Sequence, residues 1–317
     1  MKNYIKNIKH PEYFQNKFQK NYFEGWYFKF QTKQNDVIAI IVGISRCKND
    51  EHAFIQIVNG VENKAEYIRY DVKDFSYGED PWFVKLGNNS FSLNEVTLDI
   101  NEKDVKLAGK IIIDNITPLS KSAYAPCIMG PFAYIPFMEC YHGILSLHHD
   151  TAGKMILNNK KIDFNDGSGY IEKDWGKSFP KEYIWVHAND MVKNNMIVLA
   201  IANIPFMKFS FTGVIVLLLI NNKEYRFSTY DLSKIKKIAK EDNKYYIEIK
   251  KKDYYLSLVL ALNNVITLPA PKKGEMKKRI NESLDSELEV TLTKDSKIIY
   301  QNKFNPALAE VEWNKFD

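Results

Sequence analysis

Three short runs of this 317-residue chain carry more reactive side chains than ordinary strands need. The densest is Gly169-Tyr170-Ile171-Glu172-Lys173-Asp174-Trp175-Gly176. Read as a strand, it puts Tyr170, Glu172 and Asp174 on one face and Lys173 and Trp175 on the other. Carboxylates two residues apart on one face stand about 7 Å from each other, which disfavours double ionisation. One of them can then hold a proton near neutrality, as a general acid must. The same residues also suit an ion pair with a lysine that ties two sheets together, and spacing alone weighs the two equally. In Tyr22 to Lys29 (YFEGWYFK), Glu24, Trp26 and Phe28 share one strand face, and Gly25, Tyr27 and Lys29 the other. A carboxylate beside a Trp on an inward face has to meet a cation or stay protonated. Taken alone, that motif reads as a structural ion pair at a barrel mouth. The third run, Phe137 to Gly143 (FMECYHG), alternates Glu139, Tyr141 and Gly143 with Cys140 and His142, and His148, His149 and Asp150 follow it. No HxxxH or mixed Cys/His spacing joins these to a metal, so a site without metal is expected.

The elements that must position these residues are strands. Asp36 to Ile44, Ala53 to Val58, Lys110 to Ile113, Val214 to Ile220, Tyr245 to Ile249 and Tyr254 to Leu260 are short β-branched or aromatic runs. Turn signals such as Asn59-Gly60 and Asn221-Asn222 separate them. This rhythm predicts a mainly all-β chain of antiparallel sheets closing into barrels or sandwiches. Runs of good helix formers predict short helices over Leu232 to Glu241 and Glu275 to Leu284. No βαβ rhythm or Gly-rich phosphate loop is present, which excludes Rossmann and P-loop chemistry. A proline-rich segment, Pro118 to Pro136, and the loop Asp163 to Gly169 suggest two β-rich halves, 1–150 and 151–317.

Composition narrows the class further. Hydrophobic residues make up 45% and aromatics 14%, values that suit large apolar linings and exclude wholesale disorder. The 44 basic and 39 acidic residues leave a net charge of only +5, too little for a dedicated nucleic-acid binder. The basic cluster from Lys272 to Arg279 reads as a solvated loop. Three scattered cysteines fit a reducing compartment better than a disulfide framework. The N-terminal residues lack a signal-peptide core, and the stretch from Ile204 to Ile220 is broken by Pro205, Lys208 and Gly213. A cytoplasmic protein is expected, one that touches a membrane surface transiently to collect an apolar substrate.

Tyr22 to Lys29, Pro136 to Gly143 (PFMECYHG), Gly169 to Gly176 (GYIEKDWG) and Phe179-Pro180 occur in one order across nearly the whole chain. Together with a weaker match at Ala309 to Trp313 (AEVEW), they resemble the tocopherol cyclase family. The resemblance implies two lipocalin-like barrel or sandwich halves with a ligand cavity between or within them. More distantly it implies kinship with carotenoid hydratases and lipocalin-like Diels–Alderases. The activity it implies is closure of a prenylated hydroquinone to a chromanol, with no cofactor. Protonating the alkene creates a tertiary cation, which calls for a dry acid and aromatic faces. On this reading Glu172 is the acid, and Trp26, Trp175 and Trp185 are walls. Lys173 or Lys29 orients the quinol oxygens or holds a partner carboxylate ionised, and His142 or His187 takes the phenolic proton. Glu24, Tyr27, Glu139, Tyr141 and Tyr170 complete the expected substrate-binding set, and Asp174 joins the catalytic one. Asp174 stands where the family has Asn, and His187 where Gln is usual, so both add a titratable group. Two other readings remain: a carrier of an apolar ligand, with the charged motifs as sheet fasteners, and a polyene hydratase. Glu24 and Glu172 both paired with Lys or Arg would favour the carrier.

Overall fold

The computed structural model describes residues 7–15, 20–48, 50–136, 138–191, 195–206 and 209–316. Phe137 of the third motif lies outside them. The first sheet contains β1 (Tyr22–Gln31), β2 (Val37–Cys47), β3 (Asp50–Asn59), β4 (Lys64–Tyr70), β5 (Phe75–Glu79), β6 (Trp82–Leu86), β7 (Asn89–Ser92), β8 (Glu95–Asn101), β9 (Lys106–Thr117), β10 (Cys140–Leu157), β11 (Lys160–Asp163) and β12 (Gly167–Gly176). Its order is β4-β3-β2-β1-β12-β10-β9-β8-β7-β6-β5, with β11 on β10. The second sheet contains β13 (Tyr183–Asn189), β14 (Met196–Phe206), β15 (Phe209–Ile220), β16 (Lys223–Ser228), β17 (Lys234–Glu241), β18 (Lys244–Lys251), β19 (Tyr254–Ala261), β20 (Ile266–Lys272), β21 (Glu275–Lys294) and β22 (Lys297–Glu312). Its order is β16-β15-β14-β13-β22-β21-β19-β18-β17, with β20 on β21. The all-β expectation holds.

Each sheet curls around its own core. In the first, Ile68 of β4 and Trp82 and Val84 of β6 enter one apolar cluster, although their strands lie near opposite ends of the sheet. Asn89 of β7 donates to the Tyr70 hydroxyl of β4 at 3.3 Å, so the two ends meet. In the second, Phe227 of β16 shares a core with Ile238 of β17, and Lys251 of β18 donates to the Arg226 carbonyl at 2.7 Å.

The chain divides into one unit of residues 1–179 with 268–279, and another of 180–267 with 280–317. The boundary expected near residue 150 instead falls inside β10, which pairs with β9 on one side and β12 on the other. Residues 268–279 form a hairpin that rejoins the first unit: Ser45 Oγ donates to the Gly274 carbonyl at 2.5 Å, and Gly274 N to the Lys177 carbonyl at 2.7 Å. The two expected helices are strands. Lys234–Glu241 is β17, paired with β18, and Glu275–Leu284 lies in β21, which pairs with β20 and β22. Strand pairing outweighs the weaker helix propensity of their lysines and glutamates.

At the middle of the first sheet, β1 is buried at every position, and β12 at every position but Asp174. A charge on the core face of either strand therefore needs a partner. Trp26 of β1 lies opposite Lys173 of β12. The Lys173 ammonium pairs with the Glu24 carboxylate, both fully buried, and donates to the Tyr13 carbonyl at 2.5 Å. It lies 4.4 Å from the Trp26 ring and 5.2 Å from that of Trp175. Glu24 also accepts from Gln15 N and the Tyr22 hydroxyl, each at 2.8 Å. Trp26 donates to the Glu12 carbonyl at 2.9 Å. These bonds pin residues 12–15 against the end of the barrel. Burial lowers the Lys173 pKa to about 8, and the Glu24 charge limits the drop. Lys173→Met should destabilise the protein by about 3–5 kcal/mol in urea unfolding, because it strands a buried carboxylate. Adding Glu24→Leu should recover part of that loss, and a double variant no more stable than the single would contradict the assignment.

Candidate functional site

Alternation sends the neighbours of Lys173 to the other face. There Tyr170, Glu172 and Asp174 of β12 lie opposite Lys29, Tyr27 and Gly25 of β1. On the other flank, Ile144 and His142 of β10 lie opposite Glu172 and Asp174. Two strands, β12 and β10, thus bring four chemistry-bearing side chains together, with β1 alongside. The Tyr170 hydroxyl donates to Glu172 Oε2 at 2.7 Å. His142 Nδ1 sits 3.0 Å from Asp174 Oδ1, and its Nε2 is 3.6 Å from Glu172 Oε2. The side chains of Glu172, His142 and Asp174 are 6%, 15% and 24% exposed, so the cluster is most open to solvent at Asp174.

Burial disfavours the charged imidazole of His142, but the adjacent Glu172 and Asp174 charges and the Asp174 hydrogen bond outweigh it. The His142 pKa rises to about 9, so the ring is an imidazolium at neutral pH. Burial and the Glu172 charge push the Tyr170 phenol well up, keeping it a donor. Burial and the Asp174 charge also push up the Cys140 thiol. Cys140 was not expected at the site; its strand period from His142 was the available signal. His142, Glu172 and Asp174 also offer three donor atoms within 4.8 Å of one another. A divalent cation would find ligands there, but it would have to displace the imidazole proton.

The expected residues divide sharply. His142, Glu172, Asp174 and Tyr170 assemble, with Tyr27 beside them. Lys29 is fully buried opposite Tyr170, donates to Gln31 Oε1 at 2.7 Å, and is lowered by burial to about 7. Glu24, Trp26, Lys173 and Trp175 belong to the opposite face, which corrects the expectation that they share a site with Glu172. Tyr141 stacks on Trp175 at 5.5 Å, and its hydroxyl bridges the Ile135 carbonyl and Met138 N, so it secures the proline-rich segment. The Glu139 carbonyl accepts from Lys177 N at 2.8 Å and closes the strand end. Trp185 and His187 are buried on β13, in the second unit.

Residues 115–312 match the family model described as tocopherol cyclase-like. The chain belongs to that family. No curated protein sequence matches it. Among solved structures, this tocopherol cyclase-like chain is similar to CghA, with a TM-score of 0.58 and 12% identity over 95% of this chain and 90% of that one. It is also similar to kievitone hydratase from Nectria haematococca, with a TM-score of 0.53 and 11% identity over 92% and 89% of the two chains. A putative AttH from Nitrosomonas europaea gives a TM-score of 0.52 and 10% identity over 92% and 93%. At these identities the likeness shows a shared lipocalin-like fold.

The proton on His142 links this site to stability. A folded-state pKa of about 9 lies above the ordinary histidine value, so its stabilisation is complete below about pH 6.5 and is lost as pH rises through 9. Lys29 and Lys173, whose pKa values are lowered, act in the opposite direction, so the informative quantity is a difference between variants. The stability advantage of wild type over His142→Gln should shrink by about 2–3 kcal/mol between about pH 6 and pH 10 in urea melts. A difference independent of pH would contradict the raised pKa.

Proposed function

We propose that this tocopherol cyclase-like protein closes a prenylated hydroquinone, or a related hydroxylated polyene, to a chromanol-type ring by acid-initiated addition of the phenol oxygen to an alkene. One observation carries the reading: His142 lies 3.0 Å from Asp174 and 3.6 Å from Glu172 on a largely buried sheet face, with Tyr170 donating to Glu172.

In the resting site the proton sits on the imidazole. An apolar ligand that displaces the remaining water makes the imidazolium–carboxylate separation more costly and favours the neutral pair. Closing the 3.6 Å gap by a few tenths of an ångström lets the proton pass to Glu172. The carboxylic acid then protonates the less substituted alkene carbon, the phenol oxygen bonds to the tertiary carbon, and the phenolic proton returns to His142 or Asp174. No atom is gained or lost. Tyr27 and Tyr170 offer the cation aromatic faces, in place of the tryptophans expected from the sequence. Glu24 is spent on Lys173, as a fastener would be, while Glu172 keeps titratable partners, which favours an enzyme over a carrier.

Hydration is the second reading. Asp174 is 24% exposed, so water reaches the cluster and could capture the cation instead. A structural neighbour is by name a hydratase. A cytoplasmic location and transient membrane contact for collecting substrate belong to the same proposal; no helix among the described residues is long and apolar enough to cross a membrane.

Incubation with a panel of prenylated hydroquinones should yield a product of unchanged mass. Glu172→Gln should lower its rate by at least about 100-fold, the scale of a lost general acid. Wild-type activity should fall as pH rises through about 9, where His142 loses its proton. A product heavier by one water would select hydration, and ligand retention without turnover would select the carrier.

A further inference from the structure

The row of side chains through Glu172 continues beyond the reacting group. Glu172 lies opposite Tyr27, Tyr27 opposite Ile41, Ile41 opposite Gln56 and Gln56 opposite Tyr67. Directly paired residues of antiparallel strands share a face, so all five point the same way. Three strand spacings of about 4.8 Å put Gln56 about 14 Å from Glu172.

Gln56 is the one strongly polar side chain in the apolar run Ala53 to Val58. It is only 2% exposed, and its Oε1 has no hydrogen-bond partner among the described residues. A buried amide oxygen left unmatched is costly and calls for a partner. Its neighbour cannot serve it. The Tyr67 hydroxyl is 2.7 Å from His52 Nε2, and His52 Nδ1 lies 3.2 Å from Asp50. Phe54 stacks on Tyr67 at 5.1 Å, and its ring fills the space that a Cβ on Gly43 would need, closing the row on that side. Between the two polar ends, Ile41 alone among Val37 to Ser45 keeps partial exposure. An accessible apolar residue therefore lies between the acid cluster and the unmatched acceptor.

We infer that Gln56 Oε1 recognises a hydrogen-bond donor, a hydroxyl or an amide N–H, at the end of the ligand remote from the reacting alkene. The substrate class is then a long apolar molecule with a polar group at each end, about 14 Å apart. An ether, ester or carboxylate at the remote end presents only acceptors and gains nothing from Gln56 Oε1. The inference rests on reading His142, Glu172 and Asp174 as the reacting group.

Calorimetric titration with α,ω-decanediol, decanol and ω-methoxydecanol tests it, since an extended ten-carbon diol spans this separation. One added hydrogen bond should make the diol bind about tenfold tighter than decanol. The methoxy compound should bind like decanol, and Gln56→Leu should abolish the preference. The wild type alone gives a second test: the preference of diol over matching alcohol should peak at ten carbons and vanish for hexanediol. Equal binding of diol and decanol, a preference that survives Gln56→Leu, or no binding of the diol would overturn the inference. Cyclisation without a diol preference would overturn this assignment alone, whereas a diol preference without cyclisation would count against the reaction alone.

Discussion

A strand covered on both faces cannot leave a charge to water, and β12 carries three consecutive ionisable residues under that constraint. Much of the first unit follows from how they are neutralised. Lys173 turns toward the barrel interior, meets Glu24 and draws residues 12–15 over the end of the core. Glu172 and Asp174 turn the other way and hold a protonated imidazole between them. Adjacent residues of one strand thus divide into a fastener with no mobile proton and a group defined by one. The rigidity of the first supports the geometry of the second, because the same backbone sets both.

Much of this was legible in the sequence. Alternation alone separated Glu172 and Asp174 from Lys173, and Glu24 from Tyr27 and Lys29, and the structure keeps those faces. What alternation could not supply was which neighbouring strand each face meets. Lys173 was therefore expected at the reaction site together with the tryptophans, when its partner was Glu24 on β1, distant in sequence but the neighbouring strand in the sheet. The helices expected at Leu232 to Glu241 and Glu275 to Leu284 failed for a related reason. Lysine and glutamate favour helices only when nothing else decides, and here antiparallel neighbours decide. Gln56 announced itself only as a polar interruption of Ala53 to Val58, and its place in the row of Glu172 emerges from registers across three strand pairs.

Under the proposed function, a lipocalin-like sheet would acquire acid chemistry without a resident carboxylic acid. Asp174 adds a second negative charge beside His142, and that charge helps hold the ring protonated. In the proposed reaction the proton reserve sits on the imidazole, and Glu172 receives it only once water has been displaced. A neutral side chain at 174 would remove one of the two charges that raise the histidine, and with it part of the reserve.

The hairpin of residues 268–279 has a consequence for the order in which the protein can mature. Its tip holds Ser45 and Lys177 of the first unit, yet it is made only after the whole segment 180–267. During synthesis, the amino-terminal barrel must therefore wait with those two contacts open while strands of its neighbour emerge. Neither unit is a contiguous stretch of chain, so no single cut releases an intact one.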